Sequence, residues 1–250
     1  MSTEELAGTT AIVTGASRGF GRATAIALAR TGAHVVGVAR GEAGLTELHQ
    51  QLGAAFTPVV ADVTDATLAT QLIADYRPRT MVLNAGATPP PARFHEQTWE
   101  SFSQNWDVDV QQVFHFSRAA LVTPLDPGAV VVSFSSGAAL RGSPMSGGYA
   151  GAKATIKFLS SYAGAEADRS SLGIRFVSVL PQLTPATQLG STYVKVYAEY
   201  AGLTTEAYLG QIGEVLSSEQ VARSVVDLVT NDSYGAPAYL LTAGGLSPLE

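Results

Sequence analysis

The 250-residue chain has no cysteine, only three lysines among its 15 basic residues, four scattered histidines and no apolar run of membrane-spanning length. Each scarcity excludes a chemistry. Without cysteine there is no disulfide, no thiolate nucleophile and no cysteine-ligated zinc. His34, His49, His95 and His115 show no close metal-ligand pairing, so no metal site is expected. The longest apolar stretches, AVVVSF and HVVGVA, are far too short to cross a bilayer, and MSTEELAG has neither a basic n-region nor an apolar h-region. A soluble, cytoplasmic protein without a membrane partner is expected. A net charge of −6 with no Lys/Arg run argues against nucleic acid as well, which leaves a small molecule as the favoured partner.

What the sequence does have is an alternation. The apolar runs TAIVTG, AHVVGVAR, AFTPVVAD, TMVLNAG, GAVVVSFSS, GIRFVSVLP and PAYLLTAGG alternate with helical stretches at 21–31, 45–52, 65–76, 99–121, 149–171 and 218–230. Strands that are continuously apolar and β-branched belong in a parallel sheet covered on both faces. The expected architecture is therefore α/β: a doubly wound, seven-stranded parallel sheet of the Rossmann type, in a single domain over 1–250. Two segments, 87–98 and 183–213, interrupt the alternation and leave strand C-terminal ends, where such sheets bind ligands. They are candidate walls of a substrate pocket, with 183–213 as its lid.

The first strand-to-helix connection reads TGASRGFG, residues 14–21. Gly15, Gly19 and Gly21, in the spacing G-x3-G-x-G with Ser17, Arg18 and Phe20 between them, would let the backbone approach a pyrophosphate at a helix N-terminus. An S-adenosylmethionine loop competes with this reading but accounts for none of the residues that follow. The second strand ends in Ala39 and Arg40. NAD-binding folds place there a carboxylate that accepts the ribose hydroxyls and repels a 2′-phosphate. Arg18 can reach the same place, and two guanidiniums with no carboxylate predict NADP(H).

Further along, Tyr149 and Lys153 stand at i and i+4 on one helical face, and Ser136 lies thirteen residues before Tyr149 at the end of a strand. On TGASRGFG, Asp62-Val63 after the third strand, Asn84-Ala85-Gly86 after the fourth, Ser136 and Tyr149-x3-Lys153, the chain resembles the short-chain dehydrogenase/reductase family over nearly its whole length. The resemblance implies hydride transfer between a nicotinamide and a substrate carbon. It implies that Asp62 contacts the adenine amino group, that the Val63 backbone contacts the ring, and that Asn84, Ala85 and Gly86 support the strand beside the cofactor. It also implies that Ser136 binds the substrate oxygen, Tyr149 exchanges the proton, and Lys153 holds the nicotinamide ribose. The chemistry is consistent: a phenol, ordinarily titrating near pH ~10, is a poor acid–base catalyst until a nearby ammonium and the positive oxidised nicotinamide favour its anion. A homotetramer, or a homodimer, is implied too, through helices around 99–121 and 149–171 that are apolar on more than one face (Val110, Val113, Phe114, Phe116; Ile156, Phe158, Leu159, Tyr162).

Three departures from the family pattern stand out. Asp109 occupies the place of the asparagine that completes the catalytic tetrad and helps hold a water linking the lysine to solvent. An aspartate could do the same through its backbone, or pair with Lys153 and weaken the field on Tyr149. Pro181-Gln182 replaces Pro-Gly, so the Gln182 amide could point into the site; Thr184 is the candidate for the threonine that contacts the nicotinamide. Ala243 replaces an acidic residue before two glycines, a neutral change near a subunit contact. In 183–213, Leu189, Tyr193, Val194, Tyr197, Tyr200, Leu203 and Tyr208 either face an apolar or aromatic carbonyl compound or pack on the sheet or a neighbouring subunit. The lack of a basic docking patch favours a free substrate over a carrier-bound one. The expected function is an NADP(H)-dependent ketoreductase or alcohol dehydrogenase. Imine reduction, a redox-neutral reaction on the same scaffold and a dinucleotide sensor without turnover are the alternatives, and the intact Ser136, Tyr149 and Lys153 favour an enzyme.

Overall fold

The β-branched runs take up the strands. In the computed structural model, which describes residues 5–249, these are β1 (Thr10–Thr14), β2 (His34–Ala39), β3 (Phe56–Val60), β4 (Thr80–Leu83), β5 (Val130–Phe134), β6 (Arg175–Pro181), β7 (Ala238–Thr242) and β8 (Gly245–Leu249). They form one sheet in the order β3-β2-β1-β4-β5-β6-β7-β8. The first seven strands are parallel, as expected. The eighth is a correction: the chain reverses at Ala243-Gly244 and β8 pairs antiparallel with β7, from Thr242↔Gly245 to Ala238↔Leu249. This last strand carries Pro248, which has no N–H to offer a further strand. The strand order reverses between β1 and β4, and ligands of doubly wound sheets sit outside the strand ends at that point.

Helices cover both faces: α1 (Gly19–Arg30), α2 (Glu42–Leu52), α3 (Leu68–Tyr76), α4 (Trp99–Asn105), α5 (Gln111–Val122), α6 (Ala138–Arg141), α7 (Tyr149–Arg169), α8 (Gln188–Tyr200), α9 (Thr205–Ile212) and α10 (Ser218–Thr230). Alternate residues of a strand point to opposite faces. Ile12 accordingly packs with Leu72, Phe116 and Ile156 from α3, α5 and α7, whereas Ala11 and Val13 pack with Leu28, Val221 and Val225 from α1 and α10. One feature of the helices differs from the sequence expectation. The helix expected over 99–121 is split into α4 and α5 by five π-helical residues, Trp106–Val110. The segment 183–213 is helical, with the Thr187 and Thr204 side chains capping α8 and α9. No helix among the described residues is long and apolar enough to cross a membrane, and none of their His, Asp and Glu side chains form a group of three suited to a metal. Residues 1–4, part of the MSTEELAG reading, and residue 250 lie outside the described residues.

Candidate active site

The glycine loop is fixed from below. A Cβ on Gly21 would stand 2.2 Å from the Gly15 carbonyl oxygen, so the turn closes only without a side chain there. Gly21 is buried beneath the loop and does not line the cleft, unlike its neighbours Gly15, Ser17, Arg18, Gly19 and Phe20. The Thr14 hydroxyl is a hub: it accepts from the Asn84 and Ala85 backbone amides (2.9 and 3.1 Å) and donates to Gln112 Oε1 (2.5 Å). Asn84 Nδ2 returns a bond to the Thr14 carbonyl (3.1 Å). These bonds lock Asn84-Ala85-Gly86 to the glycine loop, and α1 begins at Gly19 with no side chain capping its first N–H groups.

Those N–H groups open on a cavity of about 1080 Å³ that runs over the C-terminal ends of the strands. At its β2–β3 end lie Ala39, Arg40, Asp62 and Val63. Bonds from the Thr64 amide and hydroxyl, helped by the Arg40 charge, hold the Asp62 carboxyl below its ordinary range despite some burial. Arg18 lines the same cavity, and its Nη1 donates to Gln188 Oε1 on α8 (2.7 Å), leaving the other N–H donors of the fork for a ligand. An uncapped helix N-terminus, two guanidiniums and an elongated cavity form a donor set that fits a phosphate-bearing dinucleotide.

At the cavity's centre the sheet delivers Ser136 from the end of β5, and α7 delivers Tyr149 and Lys153 one turn apart. Ser136 Oγ accepts from the Ala138 amide (3.2 Å), and Lys153 Nζ stands 5.6 Å from the centre of the Tyr149 ring. The lysine is buried. Its Nζ donates to the Phe134 carbonyl (3.1 Å) and pairs with Asp109 Oδ2 (3.0 Å). Burial alone would depress the ammonium, but the Asp109 charge, the Tyr149 phenol and the bond to Asp109 together outweigh it and hold Lys153 above its ordinary value.

Asp109 is 1% exposed and lies within the π-helical turn; such turns are frequent at functional sites. Its carboxylate also accepts from the Ala87 amide (2.7 Å) and from Asn105 Nδ2 (3.3 Å). A Cβ on Gly86 would stand 2.8 Å from Asp109 Oδ2, so the glycine ending Asn84-Ala85-Gly86 leaves the room this carboxylate takes. Asn105 was not anticipated from the sequence. Neither was Ser135, whose hydroxyl donates to the Lys153 carbonyl (2.7 Å) and ties α7 to β5.

Beyond Tyr149 the lid tyrosines turn inward. Tyr193, Tyr197, Tyr200 and Tyr208 all line the cavity. The Tyr193 hydroxyl donates to the Pro89 carbonyl (3.0 Å), and the Tyr197 hydroxyl is hydrogen-bonded to that of Ser143. Pro181, Gln182 and Thr184 line the cavity too, but two of their side chains are spent elsewhere. Gln182 Nε2 donates to the Glu214 carbonyl (3.0 Å), towards the far end of the lid and not into the site. Thr184 is buried with its hydroxyl on the Leu216 carbonyl (2.5 Å), which leaves none of its donor for a ligand. Thr187 lies nearer the cofactor loop, its γ-methyl 3.6 Å from where a Gly19 Cβ would be. Its capping pattern before Gly190 is the signal that could have found it.

Comparison with known proteins agrees with this geometry. Residues 9–196 match the family profile described as short chain dehydrogenase. The chain is 28% identical to the L-xylulose reductase of Mesocricetus auratus over 248 residues, 98% of this chain and 96% of that protein. It is 30% identical to the 3-oxoacyl-acyl-carrier-protein reductase FabG of Haemophilus influenzae over 249 residues, 96% of this chain and 98% of that one. A crystal structure provisionally described as an NAD(P)-dependent gluconate 5-dehydrogenase from Beutenbergia cavernae, with NADP bound at low occupancy, is similar with a TM-score of 0.80 at 26% identity, covering 94% of each chain.

Proposed function

The chain belongs to the short-chain dehydrogenase/reductase family, and we propose that it is an NADP(H)-dependent oxidoreductase acting at the carbonyl or alcohol carbon of a small, free, apolar or aromatic substrate. The observation that carries the reading is Ser136, Tyr149 and Lys153 on one cavity, with Lys153 buried against Asp109. The glycine loop and the N-terminus of α1 hold the pyrophosphate, Arg40 and Arg18 the 2′-phosphate, and Asp62 and Val63 the adenine. Pro181 and Gln182 form the nicotinamide wall with their backbone. Ala39 and Arg40, where a carboxylate would select NAD, support the phosphorylated cofactor.

When bound, the nicotinamide gives or takes the hydride. Ser136 donates a hydrogen bond to the substrate oxygen, and Tyr149 passes its proton to that oxygen on reduction and recovers it on oxidation. Lys153 has three N–H donors, of which Phe134 and Asp109 take two; the third is available to a ribose hydroxyl. Asp109 is a positioning residue that acts through Lys153. Segment 183–213 serves as the substrate lid. The exposed Trp99 (77%), Phe114, Phe158 (63%) and Tyr162 on α4, α5 and α7 support a homotetramer or homodimer built on those helices.

The test is loss of NADPH absorbance with a panel of ketones and aldehydes, with imines in parallel. Tyr149→Phe should lower turnover by about 10²-fold or more while NADPH binding, read by fluorescence, persists. Tight NADPH binding with no turnover of any compound would leave a dinucleotide sensor, and turnover of imines alone would replace the carbonyl reading.

A further inference from the structure

The two guanidiniums at the cofactor end of the cavity differ in what holds them. Arg40 stands close enough to Asp62 for its charge to lower that carboxyl. Arg18 has no such partner. Among the described residues it makes no ion pair, and its guanidinium makes one hydrogen bond, from Nη1 to Gln188 Oε1 (2.7 Å), across 170 residues of chain. Gln188 is the first residue of α8, and that end of the lid is fixed by contacts of its own. The Thr187 hydroxyl accepts from the Gly190 amide (3.0 Å), and a Cβ on Gly190 would overlap the Thr184 carbonyl oxygen, so the turn into the helix closes only on a glycine. Further along α8, Tyr193 and Val194 are buried and the Tyr193 hydroxyl donates to the Pro89 carbonyl (3.0 Å). The Thr187 γ-methyl lies 3.6 Å from where a Gly19 Cβ would be, which seats the start of α8 against the loop that carries Arg18.

The chemistry of the partner matters. A long, exposed arginine side chain samples many rotamers, and immobilising it when a ligand arrives costs affinity. A carboxylate would hold the fork but neutralise its charge. The amide oxygen of Gln188 accepts one N–H, leaves the other donors of the guanidinium open and leaves its charge intact. The orientation of the amide is forced, because its NH2 turned towards Arg18 would set donor against donor.

We propose that Gln188 is a specificity-determining positioning residue for the phosphorylated cofactor: it holds the Arg18 fork in place with its charge intact, so that NADP(H) gains affinity from it and NAD(H), which lacks the 2′-phosphate, does not. The same bond ties the cofactor loop to the substrate lid. This rests on the NADP(H) reading of Arg18 and Arg40.

The test is the Kd of NADPH and of NADH, read by fluorescence titration without substrate, in the wild type, Gln188→Leu, Gln188→Glu, Arg18→Ala and the double variant Arg18→Ala/Gln188→Leu. Gln188→Leu should weaken NADPH by about three- to tenfold and leave NADH within about twofold. Gln188→Glu should weaken NADPH at least as much, since it neutralises the guanidinium; a carboxylate in the first turn of a helix favours the fold, so that loss is not a destabilised lid. Gln188 acts only through Arg18, so the double variant should bind NADPH no more weakly than Arg18→Ala alone. Equal losses on both cofactors would place Gln188 on a part that NADPH and NADH share, and overturn the proposal. Unchanged or tighter NADPH binding by Gln188→Leu would overturn it too, the latter by making the amide a competitor for Arg18. An Arg18→Ala variant that shows no NADPH-selective loss would instead sink the 2′-phosphate reading, and the role of Gln188 with it.

Discussion

The ion pair behind the proposed catalytic tyrosine gives the sharpest perturbation: Asp109→Asn removes one charge and keeps the side chain's shape. Lys153 Nζ lies 5.6 Å from the Tyr149 ring and Asp109 Oδ2 stands 3.0 Å from Nζ, so the carboxylate offsets part of the field of the ammonium at the ring. Unit charges about 6 to 9 Å apart interact by about 2 to 3 kcal/mol at an effective dielectric constant of about 20, so abolishing that offset should move the acid limb of kcat/KM for alcohol oxidation to lower pH by about one unit or more.

The alkaline limb should move the same way. Burial is the largest influence on Lys153 and lowers it; the Asp109 charge is the main opposing one, so without it the ammonium loses its proton nearer neutrality. The assay is kcat/KM against pH in both reaction directions at constant ionic strength. Limbs that stay within about 0.3 units of the wild type would refute the electrostatic role. The stability sign is separate. A lysine raised in the folded state contributes stability that is fully present below its ordinary value of 10.5 and is lost only as pH rises through the higher folded value. The wild type should therefore show no Lys153-linked change in Tm between about pH 6 and pH 9, whereas Asp109→Asn, which carries an unpaired buried ammonium at low pH, should gain stability as pH rises through the lowered folded value.

Two shorter expectations accompany this one. Arg40→Ala and Arg18→Ala should each raise KM for NADPH about tenfold while leaving NADH nearly unchanged, as expected for loss of a charge-assisted bond to one phosphate; equal effects on both cofactors, or a wild-type preference for NADH, would refute the 2′-phosphate assignment. Light scattering should give a multiple of the 25.9 kDa chain mass, and Phe158→Glu on the exposed face of α7 should shift it towards the single-chain value; a wild type at the single-chain mass would refute the oligomer.

Much of the site was legible because its signals are local. A glycine cluster between a strand and a helix, a Tyr and a Lys one turn apart and a Ser at a strand end each need only a short stretch of chain and the rule that ligands sit at strand C-termini. The structure differs where pairing is distant. Arg18 meets Gln188, Gln182 meets Glu214 and Ser143 meets Tyr197 across separations of 170, 32 and 54 residues, and no periodicity encodes such contacts. The π-helical turn was hidden because one extra residue barely disturbs the apolar repeat across 99–121. The β8 hairpin did have a signal, a Gly-containing two-residue turn between apolar runs, which reads equally as a polar tail.

Asp109 lies between these cases: its identity is plain in the sequence, but its consequence is set by neighbours that are not. Every group that reaches its carboxylate is a donor: the Ala87 amide, Asn105 Nδ2 and Lys153 Nζ. An asparagine offers one acceptor and one donor in place of two acceptors, so one of those groups would face an N–H. Asn105 cannot resolve the conflict without cost, because its Nδ2 also holds the Ala87 carbonyl (3.0 Å) and its Oδ1 is buried with no hydrogen-bond partner among the described residues. The surroundings of position 109 thus suit an aspartate, with Gly86 leaving the space for it, and under the proposed mechanism this carboxylate belongs to the setting of Lys153.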